Sequence, residues 1–125
     1  MDTRARHLLA EYHGCDPGLL DDPVALEALL RAAAEAARVR AVDAQFRRLA
    51  PQGVSGVIVI EESHLSIHTW PETGYAAADF FTCGDGLPEA AHALLGPGLR
   101  AARAEVLLIE RGLPGPGPSL RVARA

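Results

Sequence analysis

The chain has 125 residues, of which 49% are hydrophobic and 22% charged, with a formal net charge of −4. That length suits one domain with its own core, and the acidic balance excludes the basic footprint of a nucleic-acid binder. All 12 basic residues are arginine, which also excludes a lysine-bound pyridoxal phosphate and a phosphate-loop lysine.

No apolar run reaches the length of a membrane span. Residues 1–6 are charged and lead into only a short apolar stretch, a poor signal peptide. Cys15 and Cys83 are 68 positions apart without a CxxC pair, a spacing that suits two reduced thiols in the cytoplasm.

Residues 6–12 read as a first strand, ended by the turn formers of 13–18. Asp22 is placed as a helix N-cap, with Pro23 in the first helical position, where its missing N–H costs nothing. Leu26, Leu29, Leu30, Ala33 and Ala37 then recur at helical spacing, with Glu27, Arg31, Glu35 and Arg38 largely opposite. A second strand lies within 39–49, and Pro51-Gln52-Gly53 makes a turn. The run Val57-Ile58-Val59-Ile60 predicts a central strand covered on both faces.

Residues 64–70 alternate. His64, Ser66, His68 and Trp70 share one face, while Leu65, Ile67 and Thr69 share the other. Pro71 to Gly74 is a tight hairpin connection, and residues 75–82 return as a strand. A short helix over 87–95 is closed by Gly96-Pro97-Gly98, and a last strand covers 105–109. The order predicts an α+β two-layer sandwich, an antiparallel sheet with helices packed on one face. Residues 112–125, rich in Gly, Pro and Arg, read as a disordered tail, leaving 1–111 as the domain.

The chemistry concentrates at Glu62-Ser63. A serine hydroxyl can attack the preceding carbonyl if the backbone is held bent, exchanging the amide for an ester. A base then removes the serine α-proton, elimination splits the chain, and the new terminus becomes a ketone. Such a step needs an oxyanion donor and an imidazole, parts that Ser55 and His68 can supply. From spacing alone, Ser63 could equally be an ordinary strand serine, His68 a satisfied half-buried histidine, and Cys83 an inert thiol. Trp70 could plug the core and Glu72 could be a solvated turn residue. His64, Cys15 and His13 are read as structural. Zinc is a competing constellation for His64, His68 and Cys83, but positions i and i+4 of a strand are ~13 Å apart, too far to share one ion.

Three stretches carry a more specific signal: Pro51-Gln52-Gly53-Val54-Ser55-Gly56, then Glu62 through Glu72, then Gly74-Tyr75-Ala76-Ala77 with Phe81-Thr82-Cys83-Gly84-Asp85. Together with Arg6-His7-Leu8-Leu9 and Gly14-Cys15-Asp16, they make the chain closely similar to the short prokaryotic S-adenosylmethionine decarboxylase proenzymes. The similarity reaches about Arg111. It implies cleavage between Glu62 and Ser63 into a β chain (1–62) and an α chain (63–125), with Ser63 becoming a pyruvoyl group. By the same resemblance His68 is the processing base, Ser55 supports the rearrangement, and Cys83 is the proton donor. Trp70 and Glu72 resemble the adenosyl site.

The implied cofactor is this self-made pyruvoyl group, with neither pyridoxal phosphate nor metal. It forms a Schiff base with S-adenosylmethionine, releases CO2 and gives the aminopropyl donor for spermidine synthesis. The family members are homodimers of cleaved protomers with sites near the subunit interface. No membrane or nucleic-acid partner is implied. Two departures stand out. Leu49 occupies the place where a phenylalanine often walls the purine, and Arg47 replaces a usual histidine. The alternatives are a pyruvoyl-dependent decarboxylase of ornithine or arginine, against which the retained Trp70-Pro71-Glu72 speaks, and an unprocessed homologue without catalysis.

Overall fold

The computed structural model of the chain describes residues 2–61 and 63–124. In chain order these form β1 (Ala5–His13), α1 (Pro17–Leu20), α2 (Pro23–Ala36), β2 (Ala41–Arg48), β3 (Val54–Ile60) and β4 (Ser63–Trp70). There follow a 3-10 turn (Pro71–Thr73), β5 (Tyr75–Cys83), α3 (Pro88–Gly98), β6 (Arg103–Arg111) and β7 (Arg121–Arg124). All the strand pairs are antiparallel, in the spatial order β2-β3-β4-β5-β1-β6-β7.

The period-2 pattern decides which side is covered. On β1, β4 and β5 the residues Leu8, Ala10, Tyr12, Leu65, Ile67, Ala76, Ala78 and Phe80 enter one core with Leu26, Leu30 and Leu95 of the helices. Their in-between neighbours face away from the helices. The expected α+β two-layer sandwich, with helices on one face, is the fold observed. The Asp22 carboxylate accepts from the backbone N–H groups of Val24 and Ala25, both at 3.1 Å, a cap worth about 1 kcal/mol.

Four local expectations are corrected. Residues 13–18 contain more than a turn, because Asp16 caps the short α1 and sends Leu20 into the core. β3 is not covered on both faces. Ile58 and Ile60 are buried, but Val59 is 43% exposed, because every helix lies on the other side. α3 runs on to Gly98 and holds Pro97 within it. The missing Pro97 N–H removes one bond near the helix end, and at the C-cap the Leu99 N–H still reaches the Leu95 carbonyl at 2.9 Å.

The fourth correction concerns residues 112–125, expected as a disordered tail. There Arg121–Arg124 form β7 along β6. The reason is the edge of β6, whose backbone groups would otherwise stay unpaired. Two ion pairs accompany it: Arg121 meets Glu110 at 2.6 Å and Arg124 meets Glu89 at 2.8 Å.

Candidate active site

β3 ends at Ile60 and β4 begins at Ser63, and these two residues are register partners. Ser63 therefore starts the strand that pairs with β3. Glu62, the other half of the expected scissile bond, lies outside the described residues. The Ser63 Oγ accepts a hydrogen bond from the backbone N–H of Cys83 at 3.1 Å. Both residues line one cleft of about 410 Å3 with Val39, Arg40, Ile60 and Gly84. Ser63 and Cys83, assigned separate roles from the sequence, are thus neighbours.

Ser55 and His68 form a second pair. They are register partners across β3 and β4, and the Ser55 hydroxyl lies 3.0 Å from His68 Nδ1. His68 is exposed and Ser55 half-buried. This pair stands apart from the first. His68 is five residues along β4 from Ser63, ~17 Å at the rise of an extended strand, and the odd–even alternation aims its side chain at the opposite face.

The expected adenosyl residues sit farther still from Ser63. Trp70 ends β4, 42% exposed and stacked on Tyr75 at 5.1 Å. Glu72 is exposed on the 3-10 turn. Leu49 closes the neighbouring loop through its N–H to the Gly53 carbonyl at 2.7 Å and is 41% exposed. Within one chain, then, Ser63 and Cys83 mark one end of β4, while Leu49, Trp70 and Glu72 mark the other, ~23 Å away along the strand.

A cluster not anticipated from the sequence lies on the uncovered face. The Nε2 atoms of His7 and His64 approach Asp79 Oδ2 at 2.5 and 2.8 Å, and the Ser66 hydroxyl donates to Oδ1. Burial pushes the Asp79 carboxyl up, but the hydrogen bonds from His7, Ser66 and His64 outweigh it and hold the group well below the usual carboxylate range. The ligand-type atoms of His7, His64 and Asp79 lie within 4.8 Å of one another. Arg111 nevertheless donates to His7 Nδ1 at 3.2 Å and covers the Phe81 ring. That cation beside the cluster opposes a second cation, so the group reads as a saturated carboxylate. His7 and Asp79 are 72 positions apart, and only the register of β1 with β5 reveals them as neighbours.

An antiparallel sheet layered with helices on one face, with a serine at the start of β4 beside a cysteine of β5, defines a two-layer α+β protein with a candidate site at that junction. Comparison with known proteins gives that class a family. The S-adenosylmethionine decarboxylase family model matches residues 6–112, and the chain belongs to this family. It is 54% identical over 85 residues, 68% of each chain, to the S-adenosylmethionine decarboxylase proenzyme of Caldanaerobacter subterraneus subsp. tengcongensis. It is 47% identical over 113 residues to that of Thermotoga maritima, covering 90% of this chain and 87% of the relative. The crystal structure of the adenosylmethionine decarboxylase from Aquifex aeolicus superposes with a TM-score of 0.83 at 29% identity, covering 94% of this chain and 98% of that one. None of these relatives is named for ornithine or arginine, the substrates of the alternative reading. No helix among the described residues is long and apolar enough to cross a membrane.

Proposed function

We propose that the chain is a self-processing S-adenosylmethionine decarboxylase, cleaved between Glu62 and Ser63, that produces the aminopropyl donor for spermidine-type polyamines. The observation that carries this reading is the placement of Ser63 at the β3–β4 junction with its hydroxyl held by Cys83 in a shared cleft. In processing, Ser63 Oγ attacks the Glu62 carbonyl and the peptide nitrogen leaves as the free amine of residue 63. A base then takes the Ser63 α-proton, and elimination releases Glu62 as a carboxylate. The resulting dehydroalanine takes up water and loses ammonia, leaving a ketone.

The Cys83 N–H holds the Ser63 Oγ before cleavage, and that oxygen leaves with Glu62, so the same N–H stays beside residue 63 when the ketone oxygen arrives from water. The pyruvoyl group supplies the electrophile for the substrate amine and the electron sink for loss of CO2. That Cys83 lines the same cleft supports reading it as the donor of a proton to the substrate α-carbon. Leu49 and Trp70 offer apolar surface to the purine, and Glu72 offers a carboxylate to the ribose hydroxyls.

The separation along β4 also supports a homodimer. No single substrate spans ~23 Å of strand, and His68 of the same chain does not reach Ser63. A second copy related by a two-fold axis sets the strands head to tail, so that each junction meets the opposite end of its neighbour. His68 of the partner subunit then serves as the processing base, supported by Ser55 of the partner subunit. The sheet face that no helix covers offers the surface for such pairing. Cys15 and Cys83 form no disulfide, which suits a cytoplasmic protein.

Intact mass measurement tests the proposal. Wild-type protein is expected as two fragments, and Ser63→Ala as one uncut chain. Borohydride should trap the ketone on the larger-numbered fragment alone. A wild-type chain that stays whole, with no trappable ketone, overturns the assignment.

A further inference from the structure

Cys83 ends β5, and in the turn from Cys83 to Leu87 the residues Gly84 and Asp85 are exposed while Gly86 is buried. It is closed by the Gly86 N–H on the Cys83 carbonyl at 3.2 Å and tied to α2 by the Leu87 N–H on the Ala37 carbonyl at 2.9 Å. One side chain from outside grips its middle. Arg6 on β1 donates through Nη2 to the Gly86 carbonyl, while its Nη1 lies 3.4 Å from Glu89 Oε1 at the start of α3. Glu89 is in turn held by Arg124 of β7 at 2.8 Å.

The Arg6 guanidinium therefore bridges the turn and the first turn of the following helix. Gly86 packs closely under the turn, since a Cβ there would lie 2.7 Å from Thr82 Cβ. The contacts are unequal. The Arg6 bond to a carbonyl is charge-assisted and partly buried, whereas the Arg124–Glu89 pair is exposed on both sides and contributes little.

We infer that Arg6 is a positioning residue for Cys83. By fixing the Gly86 carbonyl it holds the turn so that the thiol points at the substrate α-carbon rather than at the carbon of residue 63. This rests on the reading of Cys83 as proton donor. The consequence is a choice between two proton destinations after CO2 leaves. A proton on the substrate α-carbon, followed by hydrolysis, restores the ketone and releases the decarboxylated amine. A proton on the carbon of residue 63, followed by hydrolysis with one water, leaves alanine on the chain and releases the substrate as an aldehyde. The second outcome ends the life of that site.

The experiment counts turnovers per inactivation, reading the alanyl form of the C-terminal fragment by intact mass. Arg6→Met is expected to process normally and to lose about tenfold in turnovers per inactivation, the scale of one charge-assisted hydrogen bond. KM should stay within about twofold, because Arg6 touches no substrate. Glu89→Gln should show a smaller loss and Arg124→Ala almost none. Hydrogen exchange in uncleaved Ser63→Ala protein adds a readout independent of turnover. Adding Arg6→Met to it should speed exchange at residues 83–87, with β4 and β5 unchanged.

Cys83→Ala separates the two levels of the reading. If it changes the partition and Arg6→Met does not, the positioning role is overturned and the donor reading stands. If Cys83→Ala leaves the partition untouched, the donor reading itself falls, and the inference with it. Should Arg6→Met fail to fold, Arg6→Lys keeps the charge but not the two-pronged reach. A wild-type partition and wild-type exchange in that variant would refute the role of the guanidinium.

Discussion

Thr69→Val removes one hydroxyl from the end of β4 that carries His68, Trp70 and Glu72, at nearly constant shape. Thr69 is 5% exposed. Its Oγ1 accepts from the Val54 N–H at 2.8 Å and donates to the Leu20 carbonyl at 2.6 Å. It thereby ties β3 and α1 to β4. The valine methyl keeps the packing but strands two backbone groups in surroundings where Leu20 and Val54 are 0% exposed.

Each buried group left without a partner costs about 1–3 kcal/mol, so the expected loss is about 3 kcal/mol. For a chain of this size that lowers the melting point by about 10 °C. The assay is urea unfolding of the uncleaved Ser63→Ala protein, in which a single polypeptide keeps the transition interpretable. The midpoint should fall with the slope unchanged. Thr69→Ser, which keeps the hydroxyl and loses a methyl, should cost about 1 kcal/mol. A Thr69→Val loss below about 1 kcal/mol, or equal losses for the two variants, would refute the reasoning.

Three further outcomes follow from particular contacts. A Cβ on Gly56 would overlap the Phe46 ring across β2 and β3, so Gly56→Ala should destabilise the chain by about 1–3 kcal/mol; Gly56→Ala with Phe46→Leu should recover part of that loss in the same urea titration. His92 Nδ1 shares a hydrogen bond of 2.7 Å with the Tyr12 hydroxyl, and burial holds its pKa below the ordinary value of 6.5. The unfolded chain therefore binds the proton first, so this contribution is fully present above pH 6.5 and is lost as pH falls below it; stability measured against pH should flatten there in His92→Gln. Leu49→Phe restores an aromatic wall and should lower KM for S-adenosylmethionine about fivefold with kcat little changed; an unchanged KM would place Leu49 outside the substrate site.

Much of this protein was legible in one dimension because its information is local. Leu65, Ile67 and Thr69 alternate with His64, Ser66 and His68, and that parity alone assigns one set to the core. Asp22 before Pro23 announces a helix start by chemistry confined to four residues. The family likeness likewise rests on contiguous motifs around Ser55, Ser63 and Cys83. The tail was misread for the complementary reason. Arg121 and Arg124 carry no periodic apolar signal, and β7 exists because β6 offers an open edge whose backbone groups it pairs.

Distances between functional groups belonged to the tertiary structure. Ser63 and His68 are near neighbours in sequence, yet an extended strand sets them ~17 Å apart on opposite faces. Ser63 and Cys83 are 20 residues apart and share a hydrogen bond. A strand stretches short separations and a sheet register collapses long ones. Residue order therefore specified which groups the chain owns, while the packing of β4 against β3 and β5 decided which of them can meet.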